Sequence, residues 1–396
     1  MSTAPALPAV TTAHRAARVS TFAGFGIQGL LFASLITRLP TIKDRFDLSD
    51  YEVLAVLGAV AVASAVGSVI AGYASARFGS GVVLRLTLAA SAGFVVLIAV
   101  SGDLPVLVAT CCGYGLCVGA IDATTNMQGV GVQDLYGRSI MVGFHGMWSA
   151  GAVVGGVYAT ITLELDWALL PSLLAVAVAA VVLNAVLCRN LLRHDPVDGH
   201  AETIAEAVHV TVPWWPVLLL AVPTFAMWFL DASTSAWGGI YLTDGLHASD
   251  SAGPLAFTAY QALLLLTRLF GDAVVRRFGA VTTIRASGAV AVLALVLIVA
   301  APTVGLAVVG FGVLGAGVAM VPPLSMVAAG HLDGGGGQAL ARVNVSNYVG
   351  YLVAALGIAL VAELISHRAM FLPPLLVAPV LILMATQFRP RTGAAR

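Results

Sequence analysis

Residues 113–134 have the sequence GYGLCVGAIDATTNMQGVGVQD, a long apolar run that contains an aspartate. Its glycines are typical of membrane helices that pack closely against one another. Asp122 is followed one helical turn later by Asn126, and this spacing places both side chains on one helix face. A carboxylate near the centre of a bilayer costs about 2.5–3.5 kcal/mol. We therefore expect Asp122 either to bind protons or to form a structural hydrogen bond inside a helix bundle.

Residues 143–156, GFHGMWSAGAVVGG, form the next apolar run, in which His145, Trp148 and Ser149 share a face. His145 is predicted to relay protons or to contact a substrate, or else to be a satisfied histidine near a helix end. The flat ring of Trp148 is suited to stacking on a sugar.

The composition of the 396-residue chain is that of a polytopic membrane protein. Hydrophobic residues make up 59% and charged residues 10%, whereas a soluble domain would carry about 25% charged residues. The formal net charge is +0, so nothing indicates nucleic acid binding. The four cysteines form no CxxC pair and are expected to be small buried hydrophobes; they are Cys111, Cys112, Cys117 and Cys188.

Twelve apolar stretches are long enough to cross a bilayer, which takes about 20 residues in a helix. They are residues 19–38, 52–74, 82–101, 104–126, 140–162, 166–189, 214–237, 254–271, 281–301, 304–329, 341–363 and 370–388. Pro322-Pro323 is expected to interrupt the tenth span. A broken helix is tolerated where the freed carbonyls face protein or a water-filled cavity.

The basic residues predict the orientation of these spans. With twelve spans, all but four of the nineteen Lys and Arg residues lie on the side that carries both termini; the exceptions are Arg38, Lys43, Arg45 and Arg368. Because cytoplasmic loops are enriched in Lys and Arg, we place both termini in the cytoplasm of a bacterial cell, with the spans in its plasma membrane. No cleavable signal peptide is expected.

A repeat relates the two halves of the chain. RFGSGVVLR at residues 77–85 returns as RFGAVTTIR at residues 277–285, in the loop between the second and third spans of each half. We therefore predict an all-α membrane protein with 12 transmembrane helices in two six-helix bundles, residues 19–189 and 214–388, related by a pseudo-two-fold axis.

The remaining segments are predicted to be cytoplasmic. Residues 1–18 and 389–396 form the two tails, and residues 190–213 form a solvated linker between the bundles. The histidines and acids of the linker show no ligand spacing, so the sequence predicts neither a metal site nor a cofactor.

These features make the chain similar to the major facilitator superfamily over essentially its whole length. The loop from Gly72 to Arg85 resembles that superfamily's signature, although Ala76 replaces the aspartate expected just before Arg77. The second half has Asp272 in the corresponding region, with Arg268 one turn earlier and Arg276 one turn later.

Within the superfamily, the chain resembles the fucose:proton symporter-like branch and its bacterial relatives of unassigned substrate. The residues that carry this likeness are Asp122-Ala-Thr-Thr-Asn126, Arg38-Leu-Pro40, His145-x-x-Trp148-Ser149-x-Gly151 and Asp231-x5-Trp237-x3-Tyr241-Leu242. The branch usually has Glu at the position of Asp122. The resemblance implies a sugar-like or related polar substrate, with proton coupling at Asp122.

Candidate site residues follow from polar groups inside the spans. We predict Asp122 and Asp231 to be proton-coupling, with structural pairing to Arg38 as the alternative for Asp231. The candidate substrate-binding residues are Gln28, Arg38, Asn126, His145, Trp148, Trp237, Gln261, Asn347, Tyr348 and Tyr351. Arg38 is otherwise a snorkelling anchor, and Gln28 and Gln261 are otherwise helix-to-helix hydrogen bonds.

A cytoplasmic gate is predicted from the charges near the repeated loops. Asp272 and Arg268, at i and i−4, are expected to form an ion pair that breaks as the bundles rock. Arg77 and Arg276 belong to the same charged set, for which plain positive-inside topology is the alternative.

Among function classes, the sequence favours a secondary active transporter. A channel would need a ring of repeated polar residues at one level, and no nucleotide loop or metal motif supports an enzyme. We predict proton-coupled symport of a small polar solute by a monomer, with sodium as another possible coupling ion. The competing prediction is a proton-coupled efflux antiporter for drugs or metabolites.

Overall fold

The computed structural model describes residues 11–136, 140–192, 214–330, 332 and 338–389, which are helical and contain no strand. The helices of the first half are α1 Thr12–Ile36, α2 Leu39–Arg45, α3 Asp50–Phe78, α4 Ser80–Val100, α5 Leu104–Tyr136, α6 Met141–Glu164 and α7 Leu169–Leu187. Those of the second half are α8 Trp214–Ile240, α9 Gly253–Phe278, α10 Ala280–Ala300, α11 Val304–Val318, α12 Val321–Gly330, α13 Gln338–Leu364, α14 Leu372–Val377 and α15 Pro379–Leu383.

The predicted all-α membrane fold is confirmed. Nine stretches within the described ranges are long and apolar enough to cross a membrane, and shorter apolar helices accompany them. Every predicted span coincides with a helix or with a pair of helices separated by a break. The predicted linker lies outside the described residues except for residues 190–192, and so does the predicted C-terminal tail except for Arg389. Of the N-terminal tail predicted at residues 1–18, residues 1–10 lie outside, whereas residues 12–18 belong to α1, so the first helix begins earlier than predicted.

Two of the predicted spans are broken, in both cases beside proline. The tenth is divided between α11 and α12, with the break at Ala319 and Met320, directly before Pro322-Pro323. The twelfth is divided at Ala378, before Pro379. Proline lacks the N–H that would continue the helical hydrogen-bond ladder, which explains both positions.

The internal repeat has the same backbone geometry in both halves. Gly79 ends α3 with φ 82°, and Gly279 ends α9 with φ 77°. This left-handed region is accessible to glycine at little cost and lets a new helix begin at the next residue. In each copy the preceding arginine lies 5.4 Å from the ring centroid of the intervening phenylalanine. The RFG sequence is thus a turn between two spans.

The two halves contact each other through several pairs of helices. The α2 helix packs against α8, α3 packs against α13, and α6 packs against α9 from Gly146, beside Leu265, to Gly156. Thr258 of α9 lies directly against Gly156 of α6, where an added Cβ would be 1.9 Å from the Thr258 hydroxyl. We call the end of the molecule that carries this contact the outer end, following the orientation predicted from the basic residues.

Candidate functional site

Asp122 lies near the middle of α5, about 27 Å from its start and about 21 Å from its end at 1.5 Å per residue. Its Oδ1 accepts a hydrogen bond from the Gln28 amide of α1. The Asn126 amide donates to the backbone carbonyl of Asp122 at 2.7 Å, as the i, i+4 spacing allows. A helix-to-helix hydrogen bond was the alternative expected for Gln28, and the structure contains one, with this acid as the partner.

Asp122 faces the space between the halves rather than lipid. Its side chain is exposed, yet it is close enough to Tyr351 of the second half to interact with it electrostatically. The side chain of His145 is also exposed, while it packs edge-on against Phe25 at 5.3 Å and interacts electrostatically with Arg268 of the second half. Exposed groups that face the opposite half at this depth indicate a cleft that water can enter.

Asp231 lies in a different environment in α8. It is 8% exposed, and both carboxylate oxygens accept hydrogen bonds from tyrosines: Tyr260 at 2.7 Å and Tyr351 at 2.6 Å. The sequence analysis anticipated Tyr351 as a site residue but missed Tyr260. A tyrosine beside the candidate Gln261, in the middle of a predicted span, was the available signal.

Close helix packing brings Tyr351 to Asp231. Gly350 of α13 lies against α8, where an added Cβ would be 2.9 Å from the Cβ of Trp228 and 3.1 Å from the carbonyl of Phe225. Only glycine allows this approach without movement of a backbone. The rings of Trp228 and Tyr351 then lie 6.0 Å apart, and the Trp228 indole nitrogen is buried without a hydrogen-bond partner.

Arg268 reaches across to the first half. Its Nη1 lies 3.5 Å from the hydroxyl of Ser149, its Nε donates to the carbonyl of Ala319 at 3.4 Å, and it interacts electrostatically with Asp231. The Asp272 side chain lies outside the described residues, so the Arg268–Asp272 lock stays a prediction. Arg77 and Arg276 are exposed, with Arg77 over its neighbouring ring.

The structure contradicts two of the three expectations for Arg38, and substrate binding by Arg38 stays a prediction. Its side chain is 1% exposed, so it is not a snorkelling anchor. Its Nη2 donates to the hydroxyls of Thr162 at 2.7 Å and Ser172 at 2.9 Å, both in the first half. The Asp231 carboxylate accepts its hydrogen bonds from tyrosines and not from Arg38, so the predicted Arg38–Asp231 pair is wrong. Arg38 ties α1 to α6 and α7, where a buried guanidinium is stabilised by hydroxyls.

The other candidates divide between the interface and the core. Trp148 packs with Phe32 and Phe257, which bring together α1, α6 and α9 of both halves. Trp237 is 0% exposed within the main hydrophobic core, so it offers no free face for stacking. Gln261 is 2% exposed, and its Oε1 has no hydrogen-bond partner.

Two neighbouring candidates lie on α13. Asn347 is half-buried, one turn before Tyr351. The side chain of Tyr348 lies outside the described residues.

An outer cavity of about 480 Å³ also separates the halves, lined by Arg38, Thr41, Leu163, Glu164, Asp166, Trp167, Ala168, Leu169, Ser249, Asp250 and Ser251. None of the lining residues other than Arg38 was a candidate. The exposed candidates Asp122 and His145 do not line this cavity.

Comparison with known proteins gives the family. Residues 21–332 match the model of the Major Facilitator Superfamily. An uncharacterized transporter, y4wD, of Sinorhizobium fredii is 28% identical over 88% of this chain and 92% of that protein. An uncharacterized MFS-type transporter of Yersinia pestis is 28% identical over 89% of this chain and 91% of its own length. The membrane protein MosC of Rhizobium meliloti is 25% identical over 86% of this chain and 82% of its own.

Solved structures show the same fold. A point mutant of the nucleoside transporter NupG superposes with a TM-score of 0.71, at 13% sequence identity, over 95% of this chain and 99% of that one. A second structure of NupG gives a TM-score of 0.66 at 13% identity, over 96% and 98% of the two chains. The family match covers most of the chain and agrees with the resemblance carried by the repeated RFG loop. The chain belongs to the major facilitator superfamily and is a membrane transporter of that type.

Proposed function

We propose that this transporter couples the movement of protons to the uptake of a small polar solute by alternating access, with Asp122 as the coupling carboxylate. The observation that carries the proposal is the environment of Asp122. It is an acid in the middle of a span, open to the cleft between the halves and held by an amide from another helix.

A coupling acid must exchange its proton with water and must also lie where the solute binds. The exposure of the Asp122 side chain in the cleft supports the first requirement, and its contacts with two candidate substrate-binding amides, Gln28 and Asn126, support the second. Gln28 accepts as well as donates, and its Oε1 is buried without a partner. A solute hydroxyl at this position would satisfy that oxygen and would sense the charge of Asp122.

Asp231 is proposed as a second, less accessible acid. Two tyrosine hydroxyls occupy its oxygens, and one of these tyrosines also interacts electrostatically with Asp122. Tyr351 therefore connects the acids of the two halves. Closure of the cleft around a solute would alter this connection, which is the kind of differential contact that coupling requires.

The groups around the cleft favour a solute with several hydroxyls. Amides of Gln28 and Asn126, the imidazole of His145 and the indole of Trp148 offer hydrogen bonds and a flat apolar face. This combination suits a sugar or a sugar-bearing molecule. The solved structure with the same fold is described as a nucleoside transporter, so nucleosides belong in the first panel of test solutes.

Asp122→Asn tests the coupling role. In proteoliposomes with an imposed pH gradient, the variant should lose accumulation of solute against its gradient by about 100-fold or more while retaining counterflow, because an amide cannot take up and release the proton. Solutes are first selected by thermal shift from sugars, nucleosides, amino acids and drugs. Repeating the assay with a sodium gradient separates the two coupling ions.

Asp103→Asn is the matched control, since Asp103 caps the outer end of the same helix through a 2.9 Å hydrogen bond that asparagine can also accept. It should behave as the unmodified chain. Proton-driven accumulation by Asp122→Asn would contradict the coupling role. Export of the selected solute by the unmodified chain, in exchange for protons, would favour the antiporter instead.

A further inference from the structure

Four charged side chains meet at the outer end, outside the cleft, and we call them the outer cluster: Lys43, Asp50, Asp244 and His367. Lys43 Nζ lies 3.1 Å from Asp50 Oδ1 and 2.5 Å from Asp244 Oδ2. His367 Nε2 lies 3.0 Å from Asp50 Oδ2 and 3.7 Å from Asp244 Oδ2. Each cation therefore contacts both acids.

The outer cluster is built from four separate segments, two in each half. Lys43 is in the last turn of α2, and Asp50 begins α3, whose start is fixed by the capping box of Ser49. Asp244 follows α8 in residues 241–245, and His367 begins the short turn after α13. The Lys43–Asp244 and Asp50–His367 pairs therefore both join one half of the molecule to the other.

Two members of the outer cluster, Asp50 and Lys43, are largely shielded from solvent. Asp50 is 3% exposed and Lys43 12%, whereas Asp244 and His367 are 25% and 32% exposed. Shielded pairs are screened less by salt than surface pairs. His367 keeps enough contact with water to exchange a proton from the outer side.

The charge balance of the outer cluster depends on His367 alone. With a neutral imidazole, one lysine faces two carboxylates, and the carboxylates repel each other. With a protonated imidazole, two cations face two anions, and each of the four close contacts joins a cation to an anion, which outweighs the repulsion between Lys43 and His367. Histidine is the side chain whose charge normally changes between pH 5 and 8.

We propose that the outer cluster is a proton-sensitive latch: protonation of His367 from outside holds the two halves together and disfavours the outward-open state. This goes beyond the proposed transport function, because it requires neither a solute nor the coupling acids. It predicts that external acid closes the outer end.

The direction follows from the contacts of His367, which lies between the predicted spans. Its close contact with the Asp50 carboxylate, at 3.0 Å, raises the pKa of His367 above the ordinary value, although burial and Lys43 oppose the change. Separation of the two halves at this end would break that contact. The latch therefore stabilises the closed outer end fully when the external pH is below the ordinary pKa of histidine. This stabilisation is lost as the external pH rises through the raised pKa of His367.

Other charged groups near His367 do not reverse the rise in its pKa. Asp44, on α2, interacts electrostatically with Asp244 and adds negative charge. Arg368, the next residue, donates to the carbonyl of Ala301 at 3.0 Å and so points to another segment. Glu363, in the last turn of α13, is exposed to solvent.

The substitution Thr258→Cys reports on separation of the halves at the outer end, because Thr258 packs against Gly156 of the other half in this structure. The four native cysteines are first replaced by alanine or serine. Intact cells without added solute are labelled with a membrane-impermeant maleimide at external pH values from about 5.5 to 8. Each rate is divided by that of Gly102→Cys, at an exposed position in the outer loop between α4 and α5 and away from the other half, which removes the intrinsic pH dependence of the thiol.

The normalised labelling rate should fall by about threefold as the external pH is lowered, the size expected of one partly exposed ion pair. His367→Gln, which can still hydrogen-bond but cannot gain charge, should abolish this fall. Asp50→Asn should abolish it as well, with His367 intact. His247→Asn, at an exposed outer histidine outside the cluster, should leave it unchanged.

A parent chain with pH-independent labelling would overturn the latch. So would a fall that persists in His367→Gln or Asp50→Asn, or one that disappears in His247→Asn. Failure of the latch is distinguishable from failure of the proposed function, since the coupling test measures accumulation and this test measures access without solute.

Discussion

At the scale of the residue, the two interior acids differ in what surrounds them. Asp122 has an amide partner and an open side facing the cleft, whereas Asp231 is enclosed by two hydroxyl donors. A buried carboxylate without such donors would be strongly disfavoured at this depth. The tyrosines therefore account for how an acid can stay inside the second half.

Tyr351→Phe tests how much one of these hydroxyl donors contributes to the stability of the protein. It removes the 2.6 Å hydrogen bond to Asp231 and should lower the free energy of unfolding by about 1 kcal/mol, measured as a lower melting temperature in detergent. Tyr241→Phe is the matched control, since it removes a hydrogen bond of 2.6 Å to the carbonyl of Ile298. Both variants should lose stability. Only Tyr351→Phe should also change how transport depends on the pH gradient, and an unchanged dependence would separate Asp231 from coupling.

At the scale of the element, small residues decide how closely the helices approach. The α13 helix lies against α8 at Gly350, where there is no room for a Cβ, and at Gly357, where an added Cβ would be in ordinary contact with the ring of Phe229 at 3.8 Å. The first contact positions Tyr351, the next residue. Packing of α13 is thus part of the site.

Gly350→Ala should push α13 away from α8 and destabilise the protein by about 1–3 kcal/mol, because the new Cβ would meet the Cβ of Trp228 at 2.9 Å and backbone at 3.1 Å. Thermal unfolding measures the change. Gly357→Ala, two turns later on the same helix, should be neutral or stabilising, since alanine favours a helix over glycine by about 1 kcal/mol. Equal melting temperatures for the two variants would show that the close approach at Gly350 is unimportant.

At the scale of the whole molecule, the two halves contact each other through α2 and α8, α3 and α13, and α6 and α9, while Asp122 and His145 remain exposed between them. The assignment of sides rests on the distribution of basic residues, which is a topological argument and can be tested directly.

Cysteines on opposite sides test that orientation. In a chain without the native cysteines, His200→Cys in the predicted linker should react with an impermeant maleimide only after the cells are permeabilised. Ser249→Cys should react in intact cells, because it is exposed in an outer loop. The reverse pattern would place both termini outside and would put the outer cluster in contact with the cytoplasm.

The amino-acid sequence alone was enough to predict the all-helical membrane fold, the positions of the spans and the repeated turn. Runs of about 20 apolar residues have few alternatives in a bilayer, and the RFG turn needs glycine at Gly79 and Gly279 for a local reason, a left-handed backbone. Asp122 could also be identified as a candidate from the sequence, because an acid inside an apolar run is recognisable without knowledge of the tertiary contacts.

Only the tertiary structure decided which side chains meet. Gln28 joins Asp122 across 94 residues of sequence, Tyr351 joins Asp231 across 120, and Lys43 joins Asp244 across 201. Arg38 was predicted to bind substrate, to anchor at the membrane surface or to pair with Asp231, and it is buried among hydroxyls of its own half. Such pairings depend on the rotation and approach of helices, which are set by packing over their whole length rather than by the local sequence around either partner.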